Sequence, residues 1–175
     1  MPALIACLDA AYSATSASAA CALFFRWEAP AASHILTWRQ EAAAAYEPGS
    51  FYKREMPLLL AVLGQAEPLP EIIIVDGYVW LDGHDRPGLG AMVYKALSER
   101  IAVIGVAKTR FGDASSWCTP ILRGASKRPL YISAAGMGVE DAAQHVQSMH
   151  GAHRIPTLLQ VVDRAARSAL TGDEE

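Results

Sequence analysis

The chain has 175 residues, 52% hydrophobic and 19% charged, with a formal net charge of −3. That balance belongs to a globular protein of one domain; it excludes a disordered chain, and no run is long enough to span a bilayer. Net acidity also excludes a global pull on polyanions, so nucleic acid would have to be held by local basic patches or by metal ions.

The N-terminal "ALIACLDAAY" lacks a basic leader and carries an acid, so it is expected to be a strand and not a signal peptide. Residues 4–12 and 19–27 form strands joined by "SATSAS", and "SHILTWRQEA" adds a third; strands this close predict an antiparallel meander. After the loop "YEPGS", "REMPLLLAVLGQ" has helical spacing, with Pro57 confined to the first turn and Gly64 at the end. "EIIIVD" is a strand buried on both faces. "LGAMVYKALSER" is a helix, "IAVIGVAK" a second apolar strand and "RPLYISA" a last short one. Val139, Ala142, Ala143, Val146 and Met149 share one helical face, and a final helix runs over 155–169. The alternation of the later strands with helices predicts parallel pairing, hence a mixed α/β sheet with helices on both faces. We take 1–170 as one domain and 171–175 as a frayed, disordered acidic tail.

Four acids stand where core is expected. Asp9 lies inside the first strand and Asp76 ends the run "EIIIVD"; if the two strands are neighbours, their carboxylates face each other. Glu55 shares a helical face with Leu58, Leu59 and Val62, and Asp163 with Leu159 and Ala166. Singly, each is an ordinary exposed acid or, for Asp76 before Gly77, a turn. Together they would repel one another, and a divalent cation removes that repulsion. Oxygen-only donors suit Mg²⁺, with Mn²⁺ as a substitute.

Cys7, Cys21 and Cys118 are odd in number and widely spaced, which fits small buried residues in a reducing, cytoplasmic setting and no metal motif. His145, His150 and His153 surround a helix end without a matching cysteine or carboxylate pattern. "GLGAMV" lacks the third glycine of a dinucleotide loop, "GVAKT" lacks the first glycine of a P-loop, and no G-x-S-x-G occurs. Lys108 follows a strand, and Arg123, Lys127 and Arg128 make a compact basic loop, "RGASKR". Both are solvated loops on their own terms; beside an acidic metal cluster they make sense as phosphate contacts.

These motifs resemble the endonuclease V family of deoxyinosine-directed nucleases, which have an RNase H-like fold. "CLDAAY" is similar to the family's first strand and its metal-binding acid, at Asp9. "YEPGSFYKRE" resembles the Tyr-x-Pro-Gly…Arg-Glu segment that ends on the catalytic Glu, at Glu55. "IIIVDG" places the second Asp at Asp76, "IGVAKTR" the lysine at Lys108, and "HRIPTLLQVVDRA" a further metal-site acid at Asp163. The resemblance implies a Mg²⁺-dependent endonuclease of repair type that cuts near deaminated bases, a monomer with a DNA or RNA strand as partner and no membrane. It further implies Tyr46 as a stacking wedge beside Pro48, and Gly49, Phe51, Gly77 and Leu89 as the base pocket. Arg123, Lys127 and Arg128 would hold phosphate.

The chain departs from the family pattern in places. Val79 stands where Gly is usual, Glu47 where Ile is usual, and Gly136, Met137 and Gly138 replace Gly-His-Arg; His84 is displaced from the usual His. A branched Val79 is expected to keep the backbone from the base and weaken inosine preference. Two other readings share the fold: a nucleic-acid-binding protein with little or no catalysis, and a nuclease with another substrate, such as inosine-containing single-stranded RNA or branched DNA.

Overall fold

A computed structural model describes residues 1–41, 48, 51–82, 86–112 and 117–172. Nine strands and four helices follow in the order β1 (Ile5–Tyr12), β2 (Ser16–Phe24), β3 (His34–Glu41), α1 (Phe51–Leu63), β4 (Ile72–Asp76), β5 (Trp80–Asp82), β6 (Arg86–Pro87), α2 (Leu89–Ala96), β7 (Ala102–Ala107), β8 (Thr119–Ile121), β9 (Leu130–Ala135), α3 (Val139–Ser148) and α4 (Thr157–Thr171), counted among the described residues. Seven strands make one mixed sheet, ordered β3-β2-β1-β4-β7-β9-β8; β5 and β6 form a separate hairpin.

The expected meander is present: β1 pairs antiparallel with β2, and β2 with β3. β4 lies parallel between β1 and β7. β9 corrects the parallel expectation, because it runs antiparallel to β7. A parallel return needs a crossover, usually a helix; among the described residues, the route from β7 to β9 contains only the short edge strand β8. The sequence reading missed β8, whose Pro120 is tolerated because β8 lies at the sheet edge.

The sheet is covered on both faces. Leu58, Leu59 and Val62 of α1 and Val93 of α2 pack with Ala6, Leu8, Ile73 and Val75 on one side. Val146 of α3 and Leu158, Val162 and Ala166 of α4 pack with Cys7, Ile74, Ile104 and Ile132 on the other. β2 is entirely buried and is built largely from Ala, Ser and Cys. Small side chains let α1 and α4 approach it closely at interior packing density. Cys7, Cys21 and Cys118 are all buried, as expected. Among the described residues, no helix is long and apolar enough to cross a membrane.

The helix ends differ slightly from expectation. α2 stops at Ala96, ahead of Ser98 and Glu99, which hold positive φ. α4 starts after Pro156 and reaches Thr171, with Gly172 in the left-handed region as its cap, so helix occupies the start of the expected tail.

Candidate active site

Where β1 and β4 meet, the chain leaves β1 toward β2 on one side and leaves β4 toward β7 on the other. Such a switch point opens a crevice at the carboxyl ends of the strands, where open α/β sheets bind ligands. The last β1–β4 pair is Leu8 with Val75; Asp9 and Asp76 lie one register step beyond it. Adjacent strands are ~4.8 Å apart, which brings the two acids side by side. Asp9 remains paired with Ala20 of β2. On the β4 side its backbone has passed the last rung, which leaves its carboxylate at the crevice.

Three of the four sequence-predicted acids line the crevice; Asp163 lines neither of its pockets. Asp9 and Asp76 line a small pocket against α4, together with Lys108, Ile155, Leu159 and Val162. Glu55 enters from α1 and lines a larger cleft of about 350 Å³ that also contains Asp76. Burial, then the charge of Asp76, pushes the Asp9 carboxyl from 3.8 up to about 7. Its Oδ1 accepts the Ala10 N–H at 2.9 Å, a weaker opposing effect; Asp163 raises it further and Lys108 lowers it. Burial likewise lifts Glu55 from 4.5 to about 7, helped by Asp9 and Asp76 and opposed by Arg54. The Arg54 guanidinium sits 3.8 Å from the centre of the Tyr12 ring. These four acids therefore share one electrostatic neighbourhood.

Two of them are engaged by cations. Lys108 Nζ donates to Asp76 Oδ2 at 3.0 Å, and Arg167 Nε to Asp163 Oδ1 at 3.1 Å. Both pairs are well exposed, so each stabilises the fold by under about 1 kcal/mol. Lys108 is held through its backbone: its carbonyl accepts from Arg154 Nη2, which also donates to the Pro129 carbonyl at 2.8 Å. Sequence reasoning did not single out Arg154.

A divalent cation is the group this neighbourhood would take. The donors are all carboxylate oxygens, and their mutual repulsion is what a hard cation relieves. Among the described residues, no three His, Cys, Asp or Glu side chains converge as an enclosing set. The chemistry of the donors fits, with Asp9 and Asp76 as the pair on adjacent strand ends.

The larger cleft is lined by Tyr52, Glu55, Gly77, Tyr78, Leu81 and Leu89, among others. Gly77 and Leu89 were anticipated; Tyr52, Tyr78 and Leu81 were not, although Tyr78 directly follows the Asp-Gly pair. Gly77 has φ +130°, where a side chain would be strained, and a Cβ there would meet nothing within 4 Å. Pro48 is an exposed turn residue. Tyr46, Glu47, Gly49, His84 and the Phe51 side chain lie outside what is described.

Two expectations are corrected. Val79 does not border the cleft; it is fully buried, and its side chain packs against Gly90, where a Cβ would come within 2.7 Å of it. Arg123 is not a surface phosphate contact. Only 3% of it is exposed, and its guanidinium donates to the carbonyls of Met149, Gly151, His153 and Arg154. It ties down the chain between α3 and α4. Lys127 and Arg128 of the same loop are exposed.

The profile of the endonuclease V family matches residues 1–164. No curated protein sequence matches. Among solved structures, endonuclease V of Streptomyces avermitilis superposes with a TM-score of 0.73 at 24% identity, covering 98% of this chain and 84% of that one. Ciona intestinalis endonuclease V, in complex with a 24-mer DNA containing an inosine followed by a ribo-adenosine, gives 0.76 at 17% identity, covering 98% and 87%. Human endonuclease V gives 0.75 at 21% identity, covering 96% and 84%. These likenesses establish the RNase H-like fold.

Proposed function

Because the chain belongs to the endonuclease V family, we propose that it is a metal-dependent endonuclease that hydrolyses a phosphodiester bond near a deaminated base. The observation that carries this reading is the position of Asp76. It borders both the carboxylate pocket at the switch point and the 350 Å³ cleft, so chemistry and base recognition would meet at one residue. A cleft of that size falls in the range that holds small organic groups. The Ciona protein, whose fold this chain shares, binds DNA containing inosine, which supports inosine as the base.

Asp9 and Asp76 would hold Mg²⁺ (or Mn²⁺), aided by Glu55 and Asp163. When bound, the ion supplies Lewis-acid stabilisation of the phosphorane and a more acidic water. The remaining work falls to the chain. Lys108 places a positive charge beside Asp76, where it would meet the non-bridging phosphate oxygens. Glu55 lines the cleft beside Asp76, where its carboxylate would help orient an attacking water. Tyr46 would stack in the gap left by the extruded base. Lys127 and Arg128 would touch the strand, and the protein would act as a monomer in the cytoplasm.

One observation favours a second reading, strand binding without hydrolysis: Asp76 and Asp163 are already engaged by Lys108 and Arg167. Cleavage of matched inosine-containing DNA and RNA with Mg²⁺ or Mn²⁺ separates the two. Cleavage that Asp76→Asn abolishes is the expected result. Binding without cleavage under either metal would establish the second reading and refute the first.

A further inference from the structure

We propose that Ser133 is a positioning residue for base recognition, acting across two strands on the turn Gly77–Val79 that borders the cleft. The identity of the ligand rests on the nuclease reading; the tether itself does not.

A hydroxyl at 0% exposure inside a sheet needs a partner. Ser133 sits on β9 directly opposite Gly105 of β7. Among the described residues, its Oγ bonds outside its own strand pair. It reaches past Gly105 and accepts the Val79 N–H at 2.9 Å. Gly105 is the opening that permits this: a Cβ there would lie 2.7 Å from Ser133 Oγ, 2.8 Å from Val79 N and 2.5 Å from the Gly77 carbonyl. Any side chain at 105 would break the tether or push the turn outward.

The other sides of the turn are also fixed. Gly77 N–H donates to the Val106 carbonyl at 2.9 Å. The start of α2 caps the turn: Gly88 N–H donates to the Val79 carbonyl at 2.8 Å and Gly90 N–H to the Tyr78 carbonyl at 3.2 Å. Tyr78 Oη donates to the Thr109 carbonyl at 2.8 Å. Gly77 and Tyr78 line the cleft, whereas Val79 lies behind them. The turn's share of the cleft wall is therefore backbone and Tyr78, and Ser133 supports it from behind. Recognition by fixed groups needs placement within about 0.5 Å. Asp9 and Asp76 are placed independently, by the β1–β2 and β4–β7 ladders. Loss of the Ser133 hydroxyl should thus affect base reading and spare the phosphodiester chemistry.

The test uses the full chain. In the wild type without nucleic acid, the Val79 amide should exchange with deuterium as slowly as the β7 amides; fast exchange would overturn the tether before any variant is made. Ser133→Ala should speed Val79 exchange about tenfold while amides of β1 and α4 stay unchanged. With inosine and guanosine strands of identical sequence, the inosine preference should fall roughly fivefold through KM, with kcat nearly constant. Unchanged preference despite faster exchange would reduce Ser133 to a structural role and refute the proposal. If the wild type cleaves neither strand, the nuclease reading fails, and the same comparison is made by equilibrium binding. No preference in binding by the wild type, or an equal one in Ser133→Ala, would refute the inference on its own.

Discussion

Replacing Asp9 by Asn should stabilise the metal-free protein at about pH 8 and leave it unchanged at about pH 4. The Asp9 carboxyl lies at about 7 in the fold against 3.8 as a free group. A folded-state value above the unfolded one means the native state holds the proton more tightly. The stability this gives is complete below about pH 4 and is lost as the pH rises through about 7. Ionising Asp9 in place would cost on the order of 4 kcal/mol at ~1.4 kcal/mol per pH unit. Burial is the largest part of that cost and the charge of Asp76 the next; partial exposure lets water screen it, so we expect roughly 2 kcal/mol from the substitution. Asn keeps an oxygen for the Ala10 N–H. In a chain of this size, ~2 kcal/mol raises Tm by roughly 4–8 °C. Thermal melts in a chelator at the two pH values make the comparison. Adding Mg²⁺ at pH 8 should raise the wild-type Tm and leave Asp9→Asn nearly unmoved. A variant no more stable than wild type at pH 8, or equally stabilised at both pH values, would refute the electrostatic reasoning.

Neutralising Lys127 and Arg128 together should flatten the salt dependence of strand binding by up to about two units, read from affinity at several salt concentrations. Arg123→Ala should instead cost roughly 3 kcal/mol in urea unfolding, because four carbonyls lose a buried donor, and should leave the salt slope alone. Val79→Gly should destabilise the protein by about 2–4 kcal/mol without improving inosine preference, since it opens a hole against Gly90 and not a path to the cleft. Tyr46→Ala should remove most of the preference for inosine over guanosine in a cleavage competition, with stacking worth about 1–3 kcal/mol per base.

The sheet's central strands were legible because their signal is local. "EIIIVD" and "IAVIGVAK" are apolar throughout, as strands covered on both faces must be. The acids were legible for the complementary reason, as charges in places that pattern reserves for core. What the sequence hid depends on pairing and direction. β9 carries no mark of its orientation. Val79 follows Gly77 by two residues, yet the sharp φ at Gly77 changes which way the chain presents its side chains, so alternation along β4 could not be extended to it. Arg123 sits in a loop with Lys127 and Arg128 and looks the same in composition; only its backbone carbonyl partners set it apart. Ser133 was unreadable because its partner lies 54 residues away and is reached past a third strand.

The end of β4 also acts as a ruler. Asp76 belongs to the carboxylate pocket, and Gly77 and Tyr78, the next residues along the same backbone, border the cleft. On the proposed reading, the span between the base that is read and the bond that is cut is set by two peptide units of covalent geometry, clamped by β7 on one side and α2 on the other. Loops around the site can vary in length and sequence without altering that span. A change in the cutting position would require remaking the strand end itself, so the offset should be among the least evolvable properties of the protein, even where its taste for one base over another drifts.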